Sequence, residues 1–258
     1  MNETELAARF DLAMVLAREG GQCARAFFRS GDFDIKMKGP GDPVTTADLA
    51  VDDLIQTRIR HSFPHDGILS EETGGSGTGI LWVIDPIDGT QNFSRGIARF
   101  AVSVAVCENG RPVCGAIYDP MADELFSARS GRGAFLNGVE IHASSTGEPA
   151  HALVEAGYSA KHGWEHYNAM TSRLLDAGFG VRQVGSAALG LAEVACGRID
   201  GYCERHLASW DVAAAVLIVS EAGGVVSDFF AGDGLRSGGP VIAAASRIWD
   251  RLLATAAV

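Results

Sequence analysis

The sequence predicts a layered α/β protein, and three observations carry that expectation. Apolar stretches alternate between the period of a strand and the period of a helix. Glycine is frequent, at 32 of 258 residues, which suits many short connections between packed elements. A hydrophobic content of 47% at this length buries a large core, as one domain over 1–258 or as two tightly fused halves.

Residues 4–28 place Leu6, Phe10, Ala13, Met14, Ala17, Ala24 and Phe27 at helical spacing, which predicts a first long helix. Gly39-Pro40-Gly41-Asp42-Pro43 reads as a loop. Thr45 or Thr46 then caps a second helix through Asp48, Leu54, Ile55 and Ile59. Ile68-Leu69-Ser70 is a short strand ending at Glu71-Glu72, and 73–79 a flexible Gly-rich connector. That connector is no nucleotide-binding P-loop, since no Gly-Lys-Ser/Thr follows and the next element is a strand. Leu81 to Ile84 form a buried strand stopped by Asp85-Pro86. Two strands, 101–107 and 113–118, flank Asn109-Gly110, a strong hairpin turn; short strands follow at 125–128, 134–136 and 139–141, the last pair joined by Asn137-Gly138. Thr146-Gly147-Glu148-Pro149 marks the boundary between an N-terminal half, about 1–146, and a C-terminal half, about 147–258. Beyond it come a strand at 153–156, helices at 162–177 and 186–196, a strand at 201–204 and a helix from Trp210 through Ala222. Strands at 225–226 and 241–244 and a closing helix from Ser246 complete the chain.

Composition narrows the function classes. A net charge of −11 without any Lys/Arg cluster argues against nucleic acid as a primary partner. The longest apolar runs are far too short to span a bilayer, and the acidic start is no signal peptide. Five cysteines, at 23, 107, 114, 196 and 203, lack any C-x-x-C and read as free thiols of a cytoplasmic protein.

The chemistry concentrates in Trp82-Val83-Ile84-Asp85-Pro86-Ile87-Asp88-Gly89-Thr90-Gln91-Asn92-Phe93. Asp85 and Asp88 can face one point across a turn, with the Ile87 carbonyl between them as a third oxygen. Gly89 permits close backbone approach, and Thr90–Phe93 reads as a helical first turn whose free N–H groups suit a phosphate. Hard oxygen ligands beside an anion cradle are what a magnesium-dependent phosphate enzyme needs. The plainer alternative is a strand-to-turn corner. Glu71, at the end of the preceding strand, is a candidate neighbour. Asp48 and Asp211 each have helix capping as the commoner role. His162 and His166 lack a third ligand, Asp32-Phe33-Asp34 lacks the rest of a calcium loop, and Phe229-Phe230 reads as a core anchor before a turn.

Taken together, four ordered blocks resemble the inositol monophosphatase family of metal-dependent phosphatases. They are Asp42-Pro43-Val44-Thr45-Thr46-Ala47-Asp48, Ser70-Glu71-Glu72, Trp82 to Phe93, and Trp210-Asp211-Val212-Ala213-Ala214 through Glu221-Ala222-Gly223-Gly224. The departures are Ser70 where Gly is usual and Gln91 where Thr often stands. The resemblance implies an α-β-α-β-α sandwich with the site between the halves, a homodimer, and inhibition by lithium. It implies one Mg²⁺ on Glu71, Asp85 and the Ile87 carbonyl, a second on Asp85, Asp88 and Asp211, and a third, weaker ion near Glu71, with Mn²⁺ as a substitute. Thr90, paired with Asp48, would orient the attacking water, and the Gly89 and Thr90 amides would hold the phosphate. Glu204 and the Ala187 backbone would meet the alcohol; a solvated strand-end charge is the alternative for Glu204. The leading substrate is a myo-inositol monophosphate. Histidinol phosphate, fructose bisphosphate and adenosine bisphosphate are rivals within the family. A regulatory protein that keeps the fold is the rival outside catalysis.

Overall fold

Two helices, Glu3–Ser30 and Thr46–Ser62, open the fold in the computed structural model, which describes residues 1–77, 79–158 and 163–257. Both have capping boxes, Asn2 with Glu5 and Thr45 with Asp48, so their free N-terminal amides are satisfied locally. Ala13, Leu16 and Ala17 of the first helix, with Val51, Ile55 and Ile59 of the second, pack on one face of an eight-stranded sheet.

That sheet runs, edge to edge, through Val139–Ile141, Ala134–Leu136, Glu124–Arg129, Arg111–Asp119, Ala101–Glu108, Ile80–Asp88, Gly67–Ser70 and Gly74–Ser76. Strand periodicity sorts its side chains: Trp82 and Ile84 face the first two helices, while Leu81 and Val83 face the opposite way. The opposite face meets helices Ala187–Ala195 and Ser209–Glu221, whose nearly all-apolar sequences suit burial between two sheets. A five-stranded sheet lies beyond, in the order Gly180–Arg182, Leu153–Ala156, Gly201–Leu207, Gly239–Ala244, Val225–Val226. Helices Trp164–Asp176 and Trp249–Ala256 cover its outer face through Met170, Leu174 and Leu252 against Val154, Cys203 and Ile242. The layers therefore run helix, sheet, helix, sheet, helix: the α-β-α-β-α sandwich implied by the resemblance. The change of sheet falls between Ile141 and Leu153, and the central core mixes Ile117 and Phe126 with Leu191 and Ile218.

The turns at Asn109-Gly110 and Asn137-Gly138 have positive φ at all four residues, as the sequence predicts. All five cysteines are free. Four local expectations change. The Gly39–Pro43 loop is instead part of a ribbon in which Asp42–Thr45 pairs with Ile35–Gly39; Pro43 fits because a two-stranded ribbon leaves one edge open. The connector at 73–79 contains the strand Gly74–Ser76, antiparallel to Gly67–Ser70; a Cβ on Gly75 would lie 2.1 Å from the Ile68 oxygen, so glycine is what lets the backbones meet. The strand expected to stop at Asp85-Pro86 continues to Asp88, with its register broken between Asp85 and Asp88. A bulge at Pro86, which has no N–H to offer a ladder, explains why the strand survives the proline. Gly180–Arg182 is a strand too short for a periodic signal. No helix among the described residues is long and apolar enough to cross a membrane.

Candidate metal centre and substrate cleft

The broken register of Ile80–Asp88 builds the site. Asp85 and Asp88 leave the strand on either side of the bulge, and the Ile87 N–H donates to Asp85 Oδ1 at 3.0 Å. Gly89 follows at φ 95, tight against the Arg99 and Gly185 carbonyls, and starts the helix Thr90–Ser94. Asp211 arrives from the first turn of Ser209–Glu221, where its Oδ2 accepts from the Ala208 N–H at 2.7 Å. Asp88 Oδ2 is held by the Ser186 hydroxyl and by the Ala188 N–H at 3.0 Å. Each carboxylate thus has a backbone anchor, and together the three offer oxygens within 4.8 Å of one another.

Burial is the main reason these acids resist ionisation. Asp85 is raised well above the usual carboxylate range by burial, then by Glu71, Asp88 and Asp211. Asp211 is raised well above it by burial, Asp88 and Glu71. Asp88 rises to about 6 because burial outweighs the hydrogen bonds from Ser186 and Ala188. None of the three forms an ion pair with a described residue. A buried, all-oxygen, uncompensated donor set fits a hard divalent cation.

Asp48 sits beside this cluster, doing two jobs with two oxygens. Its Oδ2 accepts from the Thr45 N–H at 2.7 Å and the Thr45 hydroxyl at 2.5 Å, completing the helix cap. Its Oδ1 lies 3.2 Å from Thr90 Oγ1, which is also 2.9 Å from the Ile87 carbonyl. Burial lifts Asp48 to about 6, against the opposing Thr45 hydrogen bonds. Glu71 directly follows the parallel neighbour strand Gly67–Ser70, its N–H donating to the Ile84 carbonyl at 3.2 Å. Its carboxylate stands outside the aspartate trio, 2.7 Å from Lys38 Nζ, which also meets Glu72 at 3.0 Å.

A cleft of about 670 Å³ opens over the trio toward the second sheet, lined there by Ala187, Glu155, Tyr202 and Glu204. Glu204 is buried and accepts from the Tyr202 hydroxyl at 2.5 Å; burial, opposed by that bond and assisted by Asp88 and Glu155, lifts it to about 7. Arg205 points the other way, exposed and 3.1 Å from His166 Nδ1, as strand alternation requires. His162 lies outside the described residues. Sequence reasoning missed Lys38, Ser186 and Glu155. Ser186 had a legible signal, a serine directly before a small-residue apolar helix, and it is the N-cap. Asn92 has a bracing role: its side-chain amide donates to the carbonyls of Arg99, Val184 and Gly185, tying the short helix to the segment before Ser186.

The family model for inositol monophosphatases matches residues 5–258. The chain belongs to the inositol monophosphatase family. A protein named Nus factor SuhB from Haemophilus influenzae is 40% identical over 249 residues, 94% of this chain and 93% of its own. An inositol-1-monophosphatase from Mesorhizobium japonicum is 37% identical over 241 residues, covering 92% and 91%. The solved extragenic suppressor protein suhB of Bartonella henselae superposes with a TM-score of 0.91 at 34% identity, over 96% of this chain and 98% of that one. Family membership supports a phosphatase that acts on a phosphate ester. The expectation against nucleic acid is not retained: it rested on net charge and the lack of a Lys/Arg cluster, and this family member has relatives named Nus factors.

Proposed function

We propose that the chain is a Mg²⁺-dependent phosphomonoesterase acting on myo-inositol monophosphates. The observation that carries this reading is the convergence of Asp85, Asp88 and Asp211 in one cleft with Thr90, whose hydroxyl donates to buried Asp48. Asp85, Asp88 and Asp211, with Glu71 and the Ile87 carbonyl, would hold two or three Mg²⁺ ions, or Mn²⁺ in their place; Glu71 would exchange Lys38 for the cation. When bound, the ions supply Lewis acidity to water and phosphate oxygens and neutralise the carboxylates.

The protein's own groups do the rest. Thr90 Oγ1 would orient the attacking water by accepting a hydrogen bond from it, and the water's proton would end on Asp48 Oδ1, to which the Thr90 hydroxyl already donates. Buried Asp48 suits that role, since its raised affinity for protons brings it nearer neutrality. The Gly89 and Thr90 amides hold the phosphate in line, and no covalent phospho-enzyme is involved. Glu204 and the Ala187 backbone face the departing alcohol, where a polyol offers hydroxyls to both. The family resemblance also supports a homodimer, checked by light scattering.

Phosphate release measured on inositol 1-phosphate, histidinol phosphate, fructose bisphosphate and adenosine bisphosphate, with and without Mg²⁺, tests the proposal. Mg²⁺-dependent turnover with inositol 1-phosphate preferred is the expected result. No Mg²⁺-dependent release from any ester would overturn it, and a preferred rival ester would move the substrate assignment. A regulatory role is the second reading, favoured by the Nus factor relatives. In cells, retention of such a role by Asp211→Asn would show it to be independent of turnover.

A further inference from the structure

The helix Thr46–Ser62 carries two stripes at four-residue spacing. Ala47, Val51, Ile55 and Ile59 form the apolar one and enter the core. The other is polar, and it is buried as well: Asp48, Asp52 and Gln56 are 1%, 2% and 5% exposed. A helix needs no second buried stripe to pack, and buried polar groups are costly unless fully bonded. Here they are fully bonded, and their partners are telling. Asp48 Oδ1 faces Thr90. Asp52 Oδ1 accepts from the Ser70 hydroxyl at 2.5 Å, and Asp52 Oδ2 from Gln56 Nε2 at 2.7 Å. Gln56 Nε2 also donates to Thr73 Oγ1 at 2.6 Å, while Arg60 Nη2 donates to Gln56 Oε1 at 2.6 Å and fixes the amide's orientation.

Ser70 and Thr73 are the residues on either side of Glu71-Glu72. Both flanks of that corner are therefore tied to the helix that presents Asp48 to Thr90. The first flank is the position where the family usually has glycine, which has no hydroxyl to offer.

We infer that Asp52 is a positioning residue: the Asp52–Gln56 ladder, gripping Ser70 and Thr73, sets where Glu71 stands relative to the Asp85–Asp88–Asp211 cluster. This rests on the reading that Glu71 holds a cation. One rigid helix then fixes two things at once, the Glu71 ligand and the Asp48–Thr90 pair. Supporting groups of this kind typically change metal affinity by about 10–100-fold.

The test is Mn²⁺ binding to the substrate-free protein, followed by the free-Mn²⁺ electron paramagnetic resonance signal, beside the thermal midpoint of each metal-free variant. Four variants are compared: Asp52→Asn, Thr73→Val, Thr73→Ser and Glu71→Gln. Asp52→Asn removes the charge and leaves one oxygen for two donors, so either Gln56 or Ser70 loses the carboxylate oxygen it donates to. Thr73→Val removes the hydroxyl on the second flank, and Thr73→Ser keeps it. We expect Asp52→Asn and Thr73→Val to weaken the tightest Mn²⁺ site about tenfold, with Thr73→Ser close to wild type. Saturating Mg²⁺ should restore kcat in both weakened variants, with KM for the ester unchanged. If Glu71→Gln weakens Mn²⁺ binding but Asp52→Asn and Thr73→Val do not, or only lower the thermal midpoint, the inference is overturned while the cation reading stands. If Glu71→Gln itself binds Mn²⁺ like wild type, the Glu71 assignment fails and the inference falls with it.

Discussion

Two largely buried acidic clusters, one in the cleft and one reaching it through Glu155, are built on opposite principles. At the end of the first sheet, Asp85 and Asp88 converge with Asp211 of the central helix through hydrogen bonds, and among the described residues no arginine or lysine pairs with them. Toward the second sheet, Glu155 and Glu193 meet Arg99 and Arg182. Arg182 Nη2 lies 3.0 Å from Glu155, Arg99 Nη1 lies 3.0 Å from Glu193, and Arg182 also contacts Glu193 directly. Two acids against two bases leave that cluster neutral within the chain. Three acids with no base paired to them among the described residues leave the first cluster open to a cation. Uncompensated burial, not burial or acidity alone, is what separates a cation site from a structural ion-pair network.

The largest effect that can break this contrast is chemical. Asp211→Asn or Asp88→Asn should abolish turnover, since each removes a charged oxygen donor from the cluster. The metal-free fold should survive with an unchanged or higher thermal midpoint, because one repelling carboxylate is gone. Near-normal phosphate release by Asp211→Asn would contradict the contrast at its root.

Stability against pH sharpens it. Asp48 and Asp88 are lifted to about 6 and Glu72 and Glu204 to about 7 by burial, so the native state binds more protons than the unfolded chain. Their stabilisation is present below pH about 4, where both states are protonated, and is lost as pH rises through 6 to 7. Metal-free protein should therefore melt lower at pH 8 than at pH 5, with Mg²⁺ raising the midpoint most at pH 8. Calorimetry in EDTA and in Mg²⁺ checks the sign.

The compensated cluster should respond differently. Arg182→Ala leaves Glu155, 2% exposed, with only Arg99 at 3.9 Å. Breaking a fully buried pair costs about 3–5 kcal/mol; with Arg182 partly exposed we expect about 2–3 kcal/mol. Urea unfolding should show this loss equally with and without Mg²⁺. The smallest effect belongs to Glu204, which among the described residues is hydrogen-bonded to the Tyr202 hydroxyl and forms no ion pair. Glu204→Gln exchanges a charge-assisted hydrogen bond of about 1.5–3 kcal/mol for a neutral one of about 1 kcal/mol, so kcat/KM for inositol 1-phosphate should fall only several-fold. A far larger loss on histidinol phosphate would assign the pocket to a cationic alcohol, and no effect on any ester would remove Glu204 from it.

What could be read from the sequence follows from how local the causes are. Asp85, Asp88 and Gly89 sit in one continuous string, so strand, stop and turn chemistry displayed them together. Thr45 and Asp48 showed themselves through the cap that both complete. The layers were legible from periodicity because apolar stripes answer to their own element. The bulge at Pro86 was not, since proline signals a strand's end and only pairing with Ala101–Glu108 keeps the strand alive to Asp88. Lys38 on Glu71, and Glu155 between two arginines from distant segments, arise from juxtapositions across 27 or more positions of chain. Nothing local marks them. Asp211 fell between these cases: its capping bond is local, but its place beside Asp85 is made by the packing of the central helices on the sheet.

The most direct test of the central claim is calorimetric titration of Mg²⁺ into metal-free wild type and Asp211→Asn at pH 6, in two buffers of different ionisation enthalpy. The account predicts saturable binding by wild type with release of protons from the raised carboxylates, and sharply weaker binding by Asp211→Asn. Binding without proton release, or equal binding by the two proteins, would contradict it.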